Sequence, residues 1–135
     1  GLGKSLQTLT LGAFQVNLTR AGPFTRSEQD ENYFRIHITA FNTTTVTQTF
    51  APEGISIADA EGNSYEVLLN AYERSFDIPI NLEPQVEEKG YFLFRAVPEG
   101  LTEITVSFEL GKDETGSPYN FEYVVDISDV KWAEE

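Results

Sequence analysis

The sequence predicts an all-β domain of seven or eight short antiparallel strands, folded as a sandwich or barrel. Three observations carry that expectation. Apolar and polar residues alternate in segment after segment, as where Phe34, Ile36, Ile38 and Ala40 are interleaved with Arg35, His37 and Thr39. No segment repeats with the 3.6-residue period of a buried helix face. Clusters of Gly, Pro and Asn interrupt the alternation at intervals of one strand length.

The chain has 135 residues, enough for one core without disulfide or metal staples, and reads as a single domain over 1–135. Residues 1–12 form a lead-in with a short edge strand, and 129–135 a tail. Strand alternation first becomes clear over Ala13 to Arg20, with Phe14, Val16 and Leu18 on one face. Ala21 to Asn32, with Gly22, Pro23 and a polar run, reads as a surface loop. Tyr33 to Phe41 follows as the central strand, against which the aromatic strand Tyr91 to Val97 is expected to pack. The threonine-rich stretch Asn42 to Phe50 suits an exposed edge strand. Ile55 to Ala58 and Ser64 to Leu69 read as a hairpin with its tip at Asp59 to Asn63, where Gly62 tolerates the positive φ of such a turn. Pro79 and Pro84 exclude a central strand from Asn70 to Glu88, leaving a crossover with an edge strand near Phe76 to Ile80. Gly90 launches the Tyr91 to Val97 strand, Pro98 and Gly100 end it, and Thr102 to Leu110 and Phe121 to Ile127 close the series across a turn at Gly111 to Pro118.

Composition excludes several functions. Nine basic residues stand against twenty-two acidic ones, a formal net charge of −13, which repels phosphate backbones and anionic lipid and excludes nucleic acid as a partner. The acidity is read chiefly as a device for solubility. Cysteine is absent, so disulfides, thiolate zinc sites and cysteine nucleophiles are ruled out while the compartment stays open. Methionine is absent as well, and the chain reads as a processed or recombinant fragment with Gly1 a candidate cloning remnant. No apolar run approaches the ~20 residues of a membrane span, and no signal-peptide core is present; if the protein is exported, its signal or lipid anchor lies upstream.

Several features taken in order resemble a known family: the strand closing on Asn42, then Phe50, the Asp59, Gly62 and Tyr65 hairpin, the Leu82-x-Pro84 approach, and the Gly90-Tyr91-x-x-Phe94 strand with Pro98. From Phe14 to Leu110 the chain is similar to the telokin-like, immunoglobulin-fold domains of unknown function in exported bacterial and archaeal proteins, many of them lipoproteins. The secreted mycobacterial immunoprotective antigen belongs to the same broad group. The resemblance implies an immunoglobulin-like β-sandwich and an extracytoplasmic location, and no catalytic residues. Where such relatives often have Pro-Gly, this chain has Pro84-Gln85, so that turn must be made differently.

The chemistry-bearing residues are few. His37 is the single histidine, so any imidazole base must be this residue, yet no serine in a glycine elbow accompanies it. A solvated or cross-strand-paired histidine is the ordinary alternative. The Asp59, Glu61, Asn63 triplet mimics the start of a calcium loop, but Ser64 and Asn70 stand where an EF-hand needs Gly and Glu. Loop carboxylates remain as candidate calcium ligands: Glu28, Asp30 and Glu31 in one group, Asp113, Glu114, Asp126 and Asp129 in another. Asn17 and Asn42 each begin an N-x-T sequon and are candidate glycosylation sites, although Asn42 also suits a turn cap. Of the aromatics, Tyr33, Phe41, Tyr72, Tyr91, Tyr119 and Trp132 fall on outward faces, loops or the tail, and if gathered they would mark a binding surface.

These readings favour a non-enzymatic extracytoplasmic module, secreted or anchored at the cell surface, that binds a protein or cell-surface ligand through loops or a sheet face. A calcium-dependent or carbohydrate-binding module using the acidic loops is the alternative, and a carboxylate-pair hydrolase the third reading. No cofactor is expected. The threonine-rich edge offers a pairing surface for a dimer.

Overall fold

The computed structural model describes residues 7–26, 31–68, 78–95 and 97–130. Among them form ten strands and no helix: β1 (Gln7–Leu11), β2 (Phe14–Arg26), β3 (Glu31–Asn42), β4 (Gln48–Phe50), β5 (Glu53–Asp59), β6 (Ser64–Leu68), β7 (Ile80–Leu82), β8 (Glu87–Arg95), β9 (Glu103–Lys112) and β10 (Pro118–Asp126). The fold is therefore all-β. Eight strands join in the order β1-β2-β3-β8-β6-β5-β9-β10, and β4 pairs with β7 in a separate ribbon. Every pairing is antiparallel.

Alternation gives this sheet one dry face. Val16 and Leu18 of β2, Phe34 and Ile36 of β3, Phe94 of β8, Ile57 of β5 and Phe121 of β10 are all fully buried in a shared core. Each such side chain contributes about 1.5–3 kcal/mol by leaving water. Aromatic rings fill the middle: Phe108 stacks on Phe121 at 5.2 Å between centroids and meets Phe92 edge-on at 6.0 Å. Tyr123 crosses from β10 to β2, where its buried hydroxyl donates to the Val16 carbonyl at 2.8 Å.

The sheet curls until its two edges meet. β1 and β10 touch, and the Gln7 amide Nε2 donates to the Val124 carbonyl, but no backbone ladder joins these strands among the described residues. On the other side β6 forms a narrow corner, pairing with β8 only through Val67↔Phe94 and Leu68↔Leu93. The β4–β7 ribbon closes one end, where Phe50 packs edge-on against Phe14 with centroids 5.8 Å apart.

The strand pattern holds where alternation is clean, and departs from expectation where local chemistry overrides it. The expected loop at Ala21–Asn32 is strand over most of its length, since β2 runs to Arg26 and β3 begins at Glu31; residues 27–30 lie outside the described residues. A bulge at Thr19 shifts the register, so that Ala21 pairs with Ile36 and Pro23 with Phe34. Pro23, which has no N–H to donate, is tolerated because among the described residues β1 pairs with β2 only up to Leu18. The strand expected at Tyr91 to Val97 starts earlier and is strand only to Arg95, with Val97 outside it and Ala96 outside the described residues: Glu87 and Glu88 already pair with β3, and Gly90 sits inside the ladder opposite Ile38. That strand packs beside β3 through backbone hydrogen bonds, within the same sheet. The hairpin at Asp59–Asn63 forms as expected, Asp59 accepting from the backbone N–H of Glu61 and Asn63 at 2.9 Å each and from the Tyr65 hydroxyl at 2.9 Å. The edge strand expected near Phe76–Ile80 is shifted: β7 spans Ile80–Leu82, Ile78 and Pro79 form a bend before it, and Phe76 and Asp77 lie outside the described residues.

Only Gln48–Phe50 of the threonine-rich stretch is strand. The Asn42 side chain prevents the rest from extending. Its Oδ1 accepts from the Thr44 N–H at 2.8 Å and the Thr44 hydroxyl at 2.7 Å, and its Nδ2 donates to the carbonyls of Val46 and Leu82 at 2.8 and 2.9 Å. Local side-chain bonds of this kind divert the backbone from a ladder. The edge on which a dimer was expected is therefore a turn. Across from it, Gln85 adopts φ +62, the left-handed conformation that a glycine takes in other such turns. Its N–H donates to the Asn42 carbonyl at 2.9 Å and its side-chain amide to the carbonyls of Thr43 and Thr44, offsetting the strain with tertiary hydrogen bonds.

These contacts set the expected costs of three substitutions. Asn42→Ala removes the buried amide that ties Thr44, Val46 and Leu82 together, leaving the Val46 carbonyl only the Thr44 hydroxyl, and should cost about 2–4 kcal/mol in urea unfolding. At Gly12, with φ +60, an added Cβ would lie 2.6 Å from the Tyr119 ring; Gly12→Ala should therefore cost about 2–4 kcal/mol. Gly62, at φ +89, has nothing within 4 Å of an added Cβ, so Gly62→Ala should cost only the backbone term, about 1 kcal/mol. Equal losses at the two glycines would refute the Tyr119 contact.

Candidate functional site

The alternation that sends Phe34, Ile36 and Ile38 inward turns Tyr33, Arg35, His37, Thr39 and Phe41 to the outer face of the sheet. Register then aligns them with their neighbours in cross-strand rows: Glu87, Phe41, Gln15 and Thr10; Lys89, Thr39, Asn17 and Thr8; Tyr91, His37 and Arg20; Leu93, Arg35 and Gly22; Arg95 and Tyr33. The first two rows form an open groove of about 410 Å³ lined by Thr8, Gln15, Asn17, Thr39, Phe41, Glu87 and Lys89. Thr8 donates from its hydroxyl to Asn17 Oδ1 at 3.0 Å.

The lower rows are filled. Tyr33, Tyr91 and Leu93 are buried and cluster with Leu68. The Arg95 guanidinium lies 5.7 Å from the Tyr33 ring centroid and that of Arg35 5.9 Å from the Tyr91 ring, within cation–π range. Tyr33 and Tyr91, expected as exposed binding aromatics, are on the outward side of their strands but only 3% and 8% exposed, because rings and guanidinium stems on that side cover one another. Phe41 is half-buried in the groove wall. Tyr119 is half-buried, packed on the core and over Gly12. Tyr72 and Trp132 lie outside the described residues.

His37 sits between the groove and this cluster. Its ring is 5.4 Å from that of Tyr91, its carbonyl accepts from the Thr19 hydroxyl at 3.2 Å, and its Nε2 is buried without a hydrogen-bond partner among the described residues. Burial, then the positive charges of Arg35 and Arg20, push its pKa down to about 4. The imidazole is thus neutral at pH 7, and the charged groups acting on it are cations. A triad histidine needs a carboxylate to orient it.

The acidic candidates do not converge. Asp113 and Asp126 bracket the β9–β10 hairpin, one at its turn and the other at the far end of the nine-residue β10, roughly 30 Å apart at the rise of an extended strand. Each is engaged locally. Asp113 Oδ1 accepts from the Thr115 hydroxyl at 2.6 Å and from the N–H groups of Thr115 and Ser117, and Asp126 accepts from the Ser128 hydroxyl and N–H. These bonds, the hydroxyl of Thr115 or Ser128 foremost, hold both carboxyls below the usual carboxylate range. Glu114 and Asp129 are exposed. Among the described residues no three His, Cys, Asp or Glu side chains are placed to hold a metal ion. Glu31 pairs through its backbone with Arg26, and Glu28 and Asp30 lie outside the described residues.

The two sequons part company. Asn17 lies in the groove. Asn42, expected as a possible glycan acceptor, is fully buried with its side-chain amide engaged on both atoms, so the folded protein cannot be glycosylated there. The groove thus gathers two of the residues singled out in the sequence, Asn17 and Phe41, with five that were not. Gln15, Thr39, Glu87, Lys89 and Thr8 are ordinary polar members of alternating strands, and only the register of four strands brings them together. No helix among the described residues is long and apolar enough to cross a membrane.

The depressed pKa of His37 has a measurable consequence. Its ordinary value is 6.5 and its folded value about 4, so between these the unfolded chain binds a proton that the native state refuses, and stability falls as pH drops through the window. The urea midpoint of the native protein should decline from pH 7 to pH 4.5, and His37→Gln should flatten that decline. Equal slopes for the two proteins would refute the assignment.

Comparison with family models and with curated proteins finds no match. Among solved structures, a functionally unknown protein from Listeria monocytogenes EGD-e is similar to this chain with a TM-score of 0.67, over 93% of this chain and 84% of that one, at 10% sequence identity. The likeness is one of fold.

Proposed function

We propose that this chain is a non-enzymatic, immunoglobulin-like binding module of the telokin-like kind, exported and displayed outside the cytoplasm, which captures a cell-surface ligand on the outer face of β1, β2, β3 and β8. The sandwich reading is supported by the way β2, β3 and β8 face β5, β9 and β10 across a common core, with Phe92 meeting Phe108 and Tyr123 bonded to Val16. The narrow β6 corner and the side-chain seam between β1 and β10 separate those two halves. Export is supported only by the family resemblance.

One observation carries the binding reading: polar side chains from four neighbouring, antiparallel-paired strands line a groove of about 410 Å³. A site on strands is held more precisely than one on loops and suits recognition by fixed hydrogen-bonding groups. The titratable groups nearby support binding more than catalysis, since the histidine is neutral and flanked by cations.

The test is cosedimentation of fluorescently labelled protein with bacterial cell-envelope preparations. Wild-type protein should pellet with the envelopes, and the double variant Gln15→Ala/Thr39→Arg, folded with an unchanged Tm, should lose at least fivefold of that binding. Equal binding by both proteins, or none by either, would overturn the reading.

A further inference from the structure

We infer that the outer-face groove is a binding site for a neutral oligosaccharide. The inference rests on the binding-module reading and names its ligand.

The chemistry of the wall makes the selection. Gln15 and Asn17 each carry a carbonyl and an NH₂ group, and Thr39 adds a hydroxyl that both donates and accepts. A sugar ring presents the complementary array, hydroxyls that donate and accept around an apolar C–H face. Phe41, half-buried in the wall, adds a small apolar contact at the edge of this polar lining. Glu87 and Lys89 stand two positions apart on the same side of β8, providing one strong acceptor and one strong donor whose charges cancel. The groove is therefore polar and neutral, on a chain whose net charge of −13 repels anionic polymers.

Other ligand classes fit less well. A peptide added as a strand needs unpaired backbone groups, whereas most of the groove floor belongs to β2, β3 and β8, whose backbones pair with strands on both sides, and only Thr8 comes from the edge strand β1. An apolar ligand would find a single ring. The dimensions also suit a chain of sugars: four strands at a spacing of ~4.8 Å give a floor about 14 Å across, and about 410 Å³ falls within the ~300–1,000 Å³ of small-molecule clefts.

The experiment is a titration of ¹⁵N-labelled protein with cellotetraose, xylotetraose, maltotetraose and chitotetraose to millimolar concentration, followed by amide chemical shifts, with oligogalacturonate as an anionic control. At least one neutral sugar should produce saturable shifts centred on Gln15, Asn17, Thr39 and Phe41, and the anionic control none. Gln15→Ala, and separately Lys89→Ala, both surface truncations, should weaken that binding at least tenfold while leaving the spectrum of the fold intact. Absence of saturable shifts with every neutral sugar, alongside retained and protease-sensitive envelope binding, would overturn the saccharide assignment and leave a protein-binding module. Preferential binding of the anionic sugar would overturn the charge argument and with it the assignment. Loss of both sugar and envelope binding would overturn both readings.

Discussion

The ladders on both sides of β3 are the constraint on which the rest of this molecule depends. β2 pairs with it from Glu31 to Asn42 and β8 from Tyr33 to Phe41, so neither neighbour can slip. Because side chains alternate, a slip of one residue would exchange the core row of Phe34, Ile36 and Ile38 with the polar row of Arg35, His37 and Thr39. The dry interior and the polar groove are thus fixed by a single register. The same register underlies the lowered proton affinity of His37, whose ring it holds in a buried row on the outer face, near the charges of Arg35 and Arg20.

Much of the scaffold was legible in the sequence because a half-buried antiparallel strand writes its burial as a period of two. Ile104, Val106, Phe108 and Leu110 announced β9, and Phe121, Tyr123 and Val125 announced β10, and all are buried. What misled was residue chemistry read without partners. Gly22 and Pro23 look like a loop, yet they extend β2 through its ladder with β3, opposite Arg35 and Phe34, and among the described residues β1 pairs with β2 no further than Leu18. The threonines after Asn42 look like a strand, yet a single amide bends them into a turn. In both places the outcome is decided by an interaction that lies off the segment itself.

The candidate site was less legible still. The residues that stood out as aromatic or acidic act mainly as structure: Tyr33 and Tyr91 fill a small second core, and Asp59, Asp113 and Asp126 cap turns. The groove is made instead of unremarked glutamine, asparagine and threonine. No local signal separates such a residue from ordinary strand surface, because its meaning comes from strands that pair across long sequence intervals, as Asn17 does with Thr39 and Thr39 with Lys89.

The hydrogen bond from Tyr123 to Val16 joins residues 107 positions apart. Synthesis delivers β2 and β3 long before β9 and β10, so the apolar face of the first strands waits uncovered until the last ones emerge, and closure of so distant a contact is slow. During that interval a nascent chain is exposed to its own copies. A surplus of thirteen negative charges keeps such copies apart through mutual repulsion, so the acidity protects the chain most while the interior is still open to water.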